Sequence, residues 1–204
     1  MSVGTKKIRQ TKKPAIEILQ LFPLQGEWTE SDYFNLPDTN HLIELSEGRI
    51  IIKDMPTDEH QKAVLRLTRA IDTFIEEHQL GEMRFSPMPV RLWQNKIREP
   101  DIIFMSNAHR DRINSKAWGV PDLAVEVISP SNKNDDGIEK FAEYAKAGIT
   151  EYWIVDPINL IIEIYLLKKD KYSLKEKKQS GEIVSSSVLN GFEFAVDRLK
   201  QQKE

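Results

Sequence analysis

The spacing of apolar residues along the chain predicts alternating helices and strands. The longest helical pattern lies within residues 57–80, whose apolar side chains recur at helical spacing at Val64, Leu67, Ile71, Phe74 and Ile75. That spacing lines one side of a helix. We expect Thr57 or Asp58 to cap its start and Gly81 to end it in the left-handed conformation.

Shorter patterns predict the remaining elements. The segment Thr29 to Asp32 resembles a capping box that opens a short helix, which should end by Pro37, and another helix is expected over 135–147. Residues 42–45 and 49–53 predict a hairpin, because Gly48 between them can adopt positive φ without a Cβ clash. Further strands are predicted at 83–85, 90–92, 100–105, 122–129, 152–155, 160–167, 172–174 and 191–194.

This order of elements predicts the fold class. Strands that alternate with helices are typical of an α/β domain, here with a central mixed β-sheet flanked by helices, an N-terminal hairpin and C-terminal meander strands. Residues 1–14 carry Lys and Arg and predict a flexible basic tail, and residues 15–204 predict a single domain. The sequence contains no internal repeat.

Composition narrows the class of protein. The 204 residues are 40% hydrophobic and 30% charged, which supports a packed core. The chain has no cysteine, so disulfides, thiolate nucleophiles and cysteine-bound zinc are excluded. Because no segment resembles a signal peptide and no apolar run approaches the roughly 20 residues that cross a bilayer, we expect a cytoplasmic protein without a membrane partner. The net charge of −3 argues against a protein that coats nucleic acid.

Two carboxylates occupy apolar runs. Asp101 opens the predicted strand over 100–105, and Glu126 interrupts the strand over 122–129. An unpaired charge in an apolar layer costs several kcal/mol, so such a group is normally paired, protonated or bound to a cation. If both strands belong to one sheet, the two acids could converge on one divalent metal, which favours metal-assisted phosphodiester cleavage.

The alternation of side chains along the predicted strand over 122–129 predicts what surrounds Asp122 and Glu126. Asp122, Ala124, Glu126 and Ile128 face one side of the strand. Burial among apolar neighbours would raise the pKa of Glu126, whereas a bound metal or a lysine would stabilise the anion. Asp122 follows Pro121 and is better interpreted as a turn acid than as a ligand.

Several motifs stand in a recognisable order. They are His-Leu-Ile-Glu-Leu at 41–45, Glu-Pro-Asp-Ile at 99–102, Gly-Val-Pro-Asp-Leu-Ala-Val-Glu-Val-Ile-Ser-Pro-Ser at 119–131, Lys140 with Tyr144, and Ala-Gly-Ile-Thr-Glu-Tyr-Trp-Ile-Val-Asp-Pro at 147–157. In this order, over residues 33–166, the chain resembles the Uma family of bacterial endonucleases within the PD-(D/E)XK nuclease superfamily.

The resemblance implies a fold and a chemistry. It implies a restriction-endonuclease-like fold in which Asp101 and Glu126, with the backbone carbonyl of Val127, bind Mg²⁺ or Mn²⁺. Such an ion would polarise a DNA phosphate and activate the attacking water. Glu44 matches the family's early glutamate, which completes the metal or water shell. An outward-facing strand residue is the alternative for Glu44.

The sequence departs from the superfamily at the lysine expected two residues after the strand glutamate, where it has Ile128. Lys140 on the following helix is the favoured replacement, because a compact cation could orient the water or stabilise the transition state. If Phe141 and Tyr144 face the sheet, Lys140 flanks that stripe. If Ile138 does, Lys140 points to solvent. Lys133 is the weaker substitute.

Other interpretations remain open. The missing lysine and the acidic charge favour a non-catalytic module that binds nucleic acid or protein and keeps the nuclease fold. In a purely structural protein, the buried acids would pair with Arg84, Arg91 or Arg98. His60 and His109 could contact phosphate but are better interpreted as surface histidines. A homodimer is expected if the protein cuts both strands of a DNA duplex, because two symmetric sites do this most simply.

Overall fold

The computed structural model describes residues 22–37, 41–128 and 136–200. Its helices are α1 (Glu30–Phe34), α2 (Asp58–His78) and α3 (Asp136–Ala147), with 3₁₀ turns at Asn107–Arg112 and Val196–Leu199. Its strands are β1 (Ile43–Ser46), β2 (Arg49–Ile52), β3 (Gly81–Phe85), β4 (Val90–Trp93), β5 (Lys96–Arg98), β6 (Ile102–Ser106), β7 (Leu123–Val127), β8 (Glu151–Asp156), β9 (Ile161–Lys168), β10 (Lys171–Gln179), β11 (Ile183–Ser185) and β12 (Glu193–Ala195). The predicted tail over 1–14, the predicted strand end at Ser129, and Lys133 lie outside the described residues.

A six-stranded sheet forms the centre of the fold, in the order β10-β9-β8-β7-β6-β3. Strands β7 and β8 are parallel, and every other pair in this sheet is antiparallel, so the predicted mixed sheet is confirmed. A parallel pair requires a crossover connection, and α3 supplies it. Strands β6 and β7 are neighbours, with Ile102 opposite Val125. The two acid-bearing segments therefore lie side by side.

A second, four-stranded antiparallel sheet has the order β2-β1-β5-β4. The predicted hairpin forms its edge, with positive φ at Glu47 (48°) and Gly48 (78°). Strand β5 was not predicted, because its three residues include Lys96 and Arg98 and show no apolar alternation. The chain passes from β5 straight into β6. Asp101 therefore lies where the two sheets meet.

The central sheet has two apolar faces. One packs against α2 through Leu67 and Ile71, as the predicted stripe requires. The other packs against α3 and β4, with Ala124 and Tyr144 among its buried residues. Glu126 belongs to this second face because it is two residues from Ala124. Among the helices in the described ranges, none has the length and apolarity that crossing a bilayer requires.

The end of α2 differs from the prediction. The left-handed residue is Gln79, with φ of 52°, and Gly81 instead begins β3. A Cβ atom at Gly81 would lie 2.1 Å from the backbone oxygen of Met105. Glycine is therefore required there by the close approach of β3 to β6.

Candidate active site

Asp101 and Glu126 approach each other from neighbouring strands. Asp101 directly precedes β6, and its Oδ2 accepts a hydrogen bond of 2.7 Å from the backbone N–H of Val127 in β7. Both carboxyl groups line one cleft of about 1000 Å³. The negative charge of Asp101 also contributes to the raised pKa of Glu126. The structure thus brings these two predicted residues together.

Lys140 reaches Glu126 from the crossover helix α3. Its Nζ lies 2.9 Å from Glu126 Oε1 and 3.3 Å from Glu44 Oε1, and its side chain is only 4% exposed. The hydroxyl of Tyr144, one turn further along, donates to the same Glu126 Oε1 at 2.6 Å. Ile138 is 73% exposed, so the face of α3 that carries Lys140 and Tyr144 points to the sheet. This answers the question that the helical pattern left open.

The positive charge of Lys140 does not fully compensate for the burial of Glu126 and for the negative charges near it. Burial raises the pKa of Glu126, and the charges of Asp101 and Glu44 add to this effect against the opposing effect of Lys140. Burial alone would lower the pKa of Lys140, but Glu126 and Glu44 outweigh it and raise that pKa. Lys140 therefore keeps its proton. A further cation near Glu126 would relieve the remaining repulsion.

Glu44 is completely buried, so it is not an outward-facing strand residue. Its Oε2 accepts a bond of 2.7 Å from Arg98, and its Oε1 accepts one of 3.1 Å from the Glu99 N–H. Burial would raise its pKa, but Lys140 and Arg98 outweigh this and lower the pKa to about 2. Glu44 is therefore an ionised residue that contacts the site through Lys140. Its role in a metal or water shell stays a prediction.

Arg98 connects the second sheet to α3. Its side chain is fully buried, and its Nε donates to Glu143 Oε2 at 2.8 Å in addition to its bond with Glu44. Lys96 also pairs with Glu143 and donates to Ser46 Oγ at 2.6 Å. This ionic network fixes α3, and with it Lys140, against β1 and β5.

Among the described residues, Arg84, Arg91 and Arg98 do not pair with Asp101 or Glu126, whereas a purely structural protein would require such pairs. Arg98 contacts Glu44, Glu139 and Glu143, Arg84 pairs with Glu82, and Arg91 pairs with Glu30. The partners of Asp101 and Glu126 are instead His60 and Lys140. Each of these partners sits on the cleft wall.

His60 lies in the site, which sequence reasoning missed by expecting it at the surface. Its Nε2 is 3.2 Å from Asp101 Oδ2, and its side chain is 13% exposed. Burial lowers the pKa of His60, but the hydrogen bond and charge of Asp101 outweigh this and raise it. A signal was available, because His60 precedes the buried Ala63 and Leu67 at helical spacing and so continues the stripe of α2.

Lys53 and Glu99 are two more charged residues of the cleft wall that the sequence did not indicate. Glu99 Oε1 accepts a bond of 3.0 Å from the Tyr33 hydroxyl. Burial and the charge of Glu44 raise the pKa of Glu99 to about 7. Lys53 follows β2, and burial together with the charge of Lys140 lowers its pKa.

Asp122 has a structural role, as its interpretation as a turn acid predicted. Its Oδ2 accepts a bond of 2.7 Å from the Ser106 N–H, and its Oδ1 lies 2.6 Å from His109 Nδ1. These contacts tie the start of β7 to the end of β6. His109 is 38% exposed, in agreement with its predicted surface position.

The donor set of the cleft fits a hard divalent cation. Among the described residues, the hydrogen bonds of the two acids fall on Asp101 Oδ2 and Glu126 Oε1, so the second oxygen of each is available to an ion. Within those same residues, no group of three His, Asp or Glu side chains is placed to hold a metal. Such a site suits Mg²⁺, which is usually bound by one or two carboxylates and retained waters.

Comparison with known proteins shows the family of the chain. The model of the Uma2 family, described as "Putative restriction endonuclease", matches residues 30–197. The chain belongs to the Uma2 family. This confirms the resemblance found in the sequence, and this Uma2 protein also has a structural relative in Anabaena variabilis.

That relative is described as a "putative nuclease belonging to DUF820". It is 19% identical to this Uma2 chain, covers 84% of it and 97% of its own length, and superposes with a TM-score of 0.68. The likeness shows that the two proteins share a fold. No curated protein matches the sequence.

Arg98→Met is expected to destabilise the Uma2 protein strongly. The substitution leaves the fully buried Glu44 without its guanidinium and removes one of the two cations that pair with Glu143, which costs about 3–5 kcal/mol of the free energy of unfolding. Urea denaturation measures the change. Arg91→Met is the matched control, since Arg91 is half-exposed in its pair with Glu30 and should cost no more than about 1 kcal/mol. Equal losses in the two variants would contradict the proposed importance of the buried network.

Glu44 should make stability depend on acid pH. Its folded-state pKa of about 2 lies below the ordinary value of 4.5, so its contribution is fully present above about pH 4.5 and is lost as the pH falls towards 2. The difference in unfolding free energy between wild type and Glu44→Gln should therefore shrink from pH 6 to pH 3. Urea denaturation at several pH values tests this, and a constant difference would contradict it.

Proposed function

We propose that this protein is a metal-dependent endonuclease that hydrolyses the phosphodiester backbone of DNA. The observation that supports this best is the meeting of Asp101 and Glu126 at adjoining strand ends, with the Lys140 ammonium 2.9 Å from Glu126. Two carboxylates and a cation in one recessed cleft are the groups that hydrolysis of a phosphodiester needs. The family description and that of the Anabaena variabilis relative agree with a nuclease.

Asp101, Glu126 and the backbone carbonyl of Val127 are the proposed ligands of Mg²⁺ or Mn²⁺. When bound, the ion supplies positive charge that polarises the scissile phosphate and lowers the pKa of a coordinated water. Hydrogen bonds within the protein orient the two carboxylate ligands. His60 and the Val127 N–H bind Oδ2 of Asp101 and so fix the direction of its other oxygen. Tyr144 and Lys140 do the same for Glu126.

Lys140 is the proposed replacement for the lysine absent at Ile128. It is buried and protonated, and it enters from a helix that crosses over the same sheet face. A compact ammonium there can hold the attacking water or stabilise negative charge on the phosphate in the transition state. Glu44 and Arg98 act behind it as positioning residues. The position of Lys140 supports the catalytic proposal over a non-catalytic module.

A homodimer stays a prediction of the same proposal, as does the cytoplasmic location. Cleavage of both strands of a duplex by one site per chain would need two symmetric copies. An enzyme that cuts only unpaired DNA would not need a dimer. The oligomeric state therefore bears on the kind of DNA that is cut.

The proposal is tested with purified protein, circular single-stranded DNA and plasmid, with Mg²⁺ or Mn²⁺. Asp101→Asn and Glu126→Gln should lower the cleavage rate about 10³-fold or more, because each removes a ligand whose ion stabilises the transition state by several kcal/mol. Lys140→Met should lower it about 10²- to 10³-fold. Glu193→Gln, an exposed glutamate of β12, is the control and should leave the rate unchanged.

Calorimetric titration with Mn²⁺ separates binding from chemistry. Wild type and Lys140→Met should bind the ion, and Asp101→Asn should not. If the wild type neither cuts DNA nor binds Mn²⁺ while its circular dichroism spectrum is that of a folded protein, the hydrolytic proposal is wrong and a binding module is the better description.

A further inference from the structure

The mouth of the cleft carries exposed apolar side chains. Phe85, Met55 and Ile138 line it and are 56%, 66% and 73% exposed. They come from three separate parts of the chain, namely the end of β3, the segment after β2, and the start of α3. Single exposed apolar residues are common on proteins, but several that line one cleft beside polar residues typically mark a binding surface.

The backbone at Phe85 pairs with the segment that carries Asp101. It is the last residue of β3 and pairs with Ile102, the residue after Asp101. The next N–H, that of Ser86, donates to the backbone oxygen of Asp101 at 3.0 Å. The position of the Phe85 backbone relative to Asp101 is therefore fixed. An aromatic ring at this place can contact a group that neighbours a phosphate at the acids.

The acids themselves are recessed. The side chains of Asp101 and Glu126 are 11% and 14% exposed, and that of Lys140 is 4% exposed. A phosphate must therefore enter the cleft to reach them. In a duplex the bases are stacked inside, so a duplex would present charged phosphates and sugars to the apolar mouth. An unpaired strand can bend inward and turn its bases to the same side chains.

The charges around the cleft also favour an unpaired strand. Proteins that hold a duplex through its backbone usually have a basic surface, yet this chain has a net charge of −3. Arg84 and Arg110 pair with Glu82, and Arg91 with Glu30. The basic residues of the cleft wall are three lysines and two histidines, namely Lys53, Lys116, Lys140, His41 and His60. This combination of a few cations with apolar side chains is typical of a groove for single strands.

From these observations we propose that the cleft binds an unpaired DNA strand, with a base stacked on Phe85, neighbouring bases against Met55 and Ile138, and the backbone directed to the acids. The volume of about 1000 Å³ accommodates a short stretch of nucleotides rather than a helix. The inference deepens the proposed nuclease function and rests on it for the reaction. Binding of the strand is a separate property that can be measured without cleavage.

The test measures binding of fluorescent DNA to the full-length protein in EDTA, where no divalent ion supports cleavage. A 12-nucleotide single strand and a hairpin duplex of the same sequence are compared by anisotropy. The single strand should bind at least 10-fold more tightly. Phe85→Ala should weaken its binding roughly 5- to 100-fold, the effect expected for loss of one stacked base. Ile183→Ala, at an exposed residue of β11 that does not line the cleft, should have no effect.

Two conservative variants distinguish stacking from simple apolar contact. Phe85→Trp should retain the affinity for the single strand, and Phe85→Leu should lose most of it. Equal binding of duplex and single strand would overturn the inference, as would unchanged binding by Phe85→Ala. So would a fall in self-association of Phe85→Ala in sedimentation experiments without loss of DNA binding, because the apolar mouth would then be an interface between copies.

The outcomes also separate this inference from the nuclease proposal. If the protein prefers single strands but cuts no DNA with Mg²⁺ or Mn²⁺, the substrate class stands as a binding specificity and the reaction is rejected. If it cuts DNA but binds both forms equally, the reaction stands and the preference for unpaired strands is rejected.

Discussion

The arrangement of the cleft depends on one buried ammonium, that of Lys140, placed between Glu126 and Glu44. An unpaired charge at this depth would be costly, so the lysine and both glutamates stabilise one another only in the folded geometry. Glu126 comes from the central sheet, Glu44 from the second sheet, and Lys140 from the helix that joins β7 to β8. The contact therefore determines how three layers meet, and it lies at the proposed site of chemistry.

A second set of contacts makes that geometry rigid. Arg98 lies between Glu44 and Glu143 and so links β1 to α3 from behind Lys140. The short passage from β5 to β6 then carries the chain from Arg98 to Asp101, so the residue that supports the lysine and the proposed ligand belong to one segment. His60 fixes Asp101 from the opposite side of the sheet. Each proposed catalytic group is thus held by at least one residue of another element, which is the condition for a preorganised site.

The parts of the fold that the sequence predicted are those with a clear period. The apolar stripe of α2 and the apolar runs of β7 and β8 indicate directly which of their residues are buried. Strand β5 could not be predicted in this way, because two of its three side chains, Lys96 and Arg98, are buried by ionic contacts, and such pairing does not show in a hydropathy pattern. For the same reason, the sequence suggested Arg98 only as a partner of Asp101 and Glu126. The structure pairs it with other acids, namely Glu44, Glu139 and Glu143. Lys140 was predicted as a candidate, but the side of α3 that faces the sheet is decided by the folded packing, in which Tyr144 contacts Glu126 and Ile138 is exposed.

The proposed use of a helix lysine in place of a strand lysine would have a physical consequence for the cleft. A lysine at position 128 would share the strand face of Glu126 and would place a long, hydrated side chain on the cleft wall. With Ile128 there, an apolar side chain lies on the cleft wall beside Glu126, and the ammonium of Lys140 reaches the cleft from α3 instead. The cation keeps its contact with Glu126, while Ile128 lines the same cleft as Phe85 and Ile138. An isoleucine at this position therefore adds an apolar side chain to the cleft in which we propose that an unpaired strand binds.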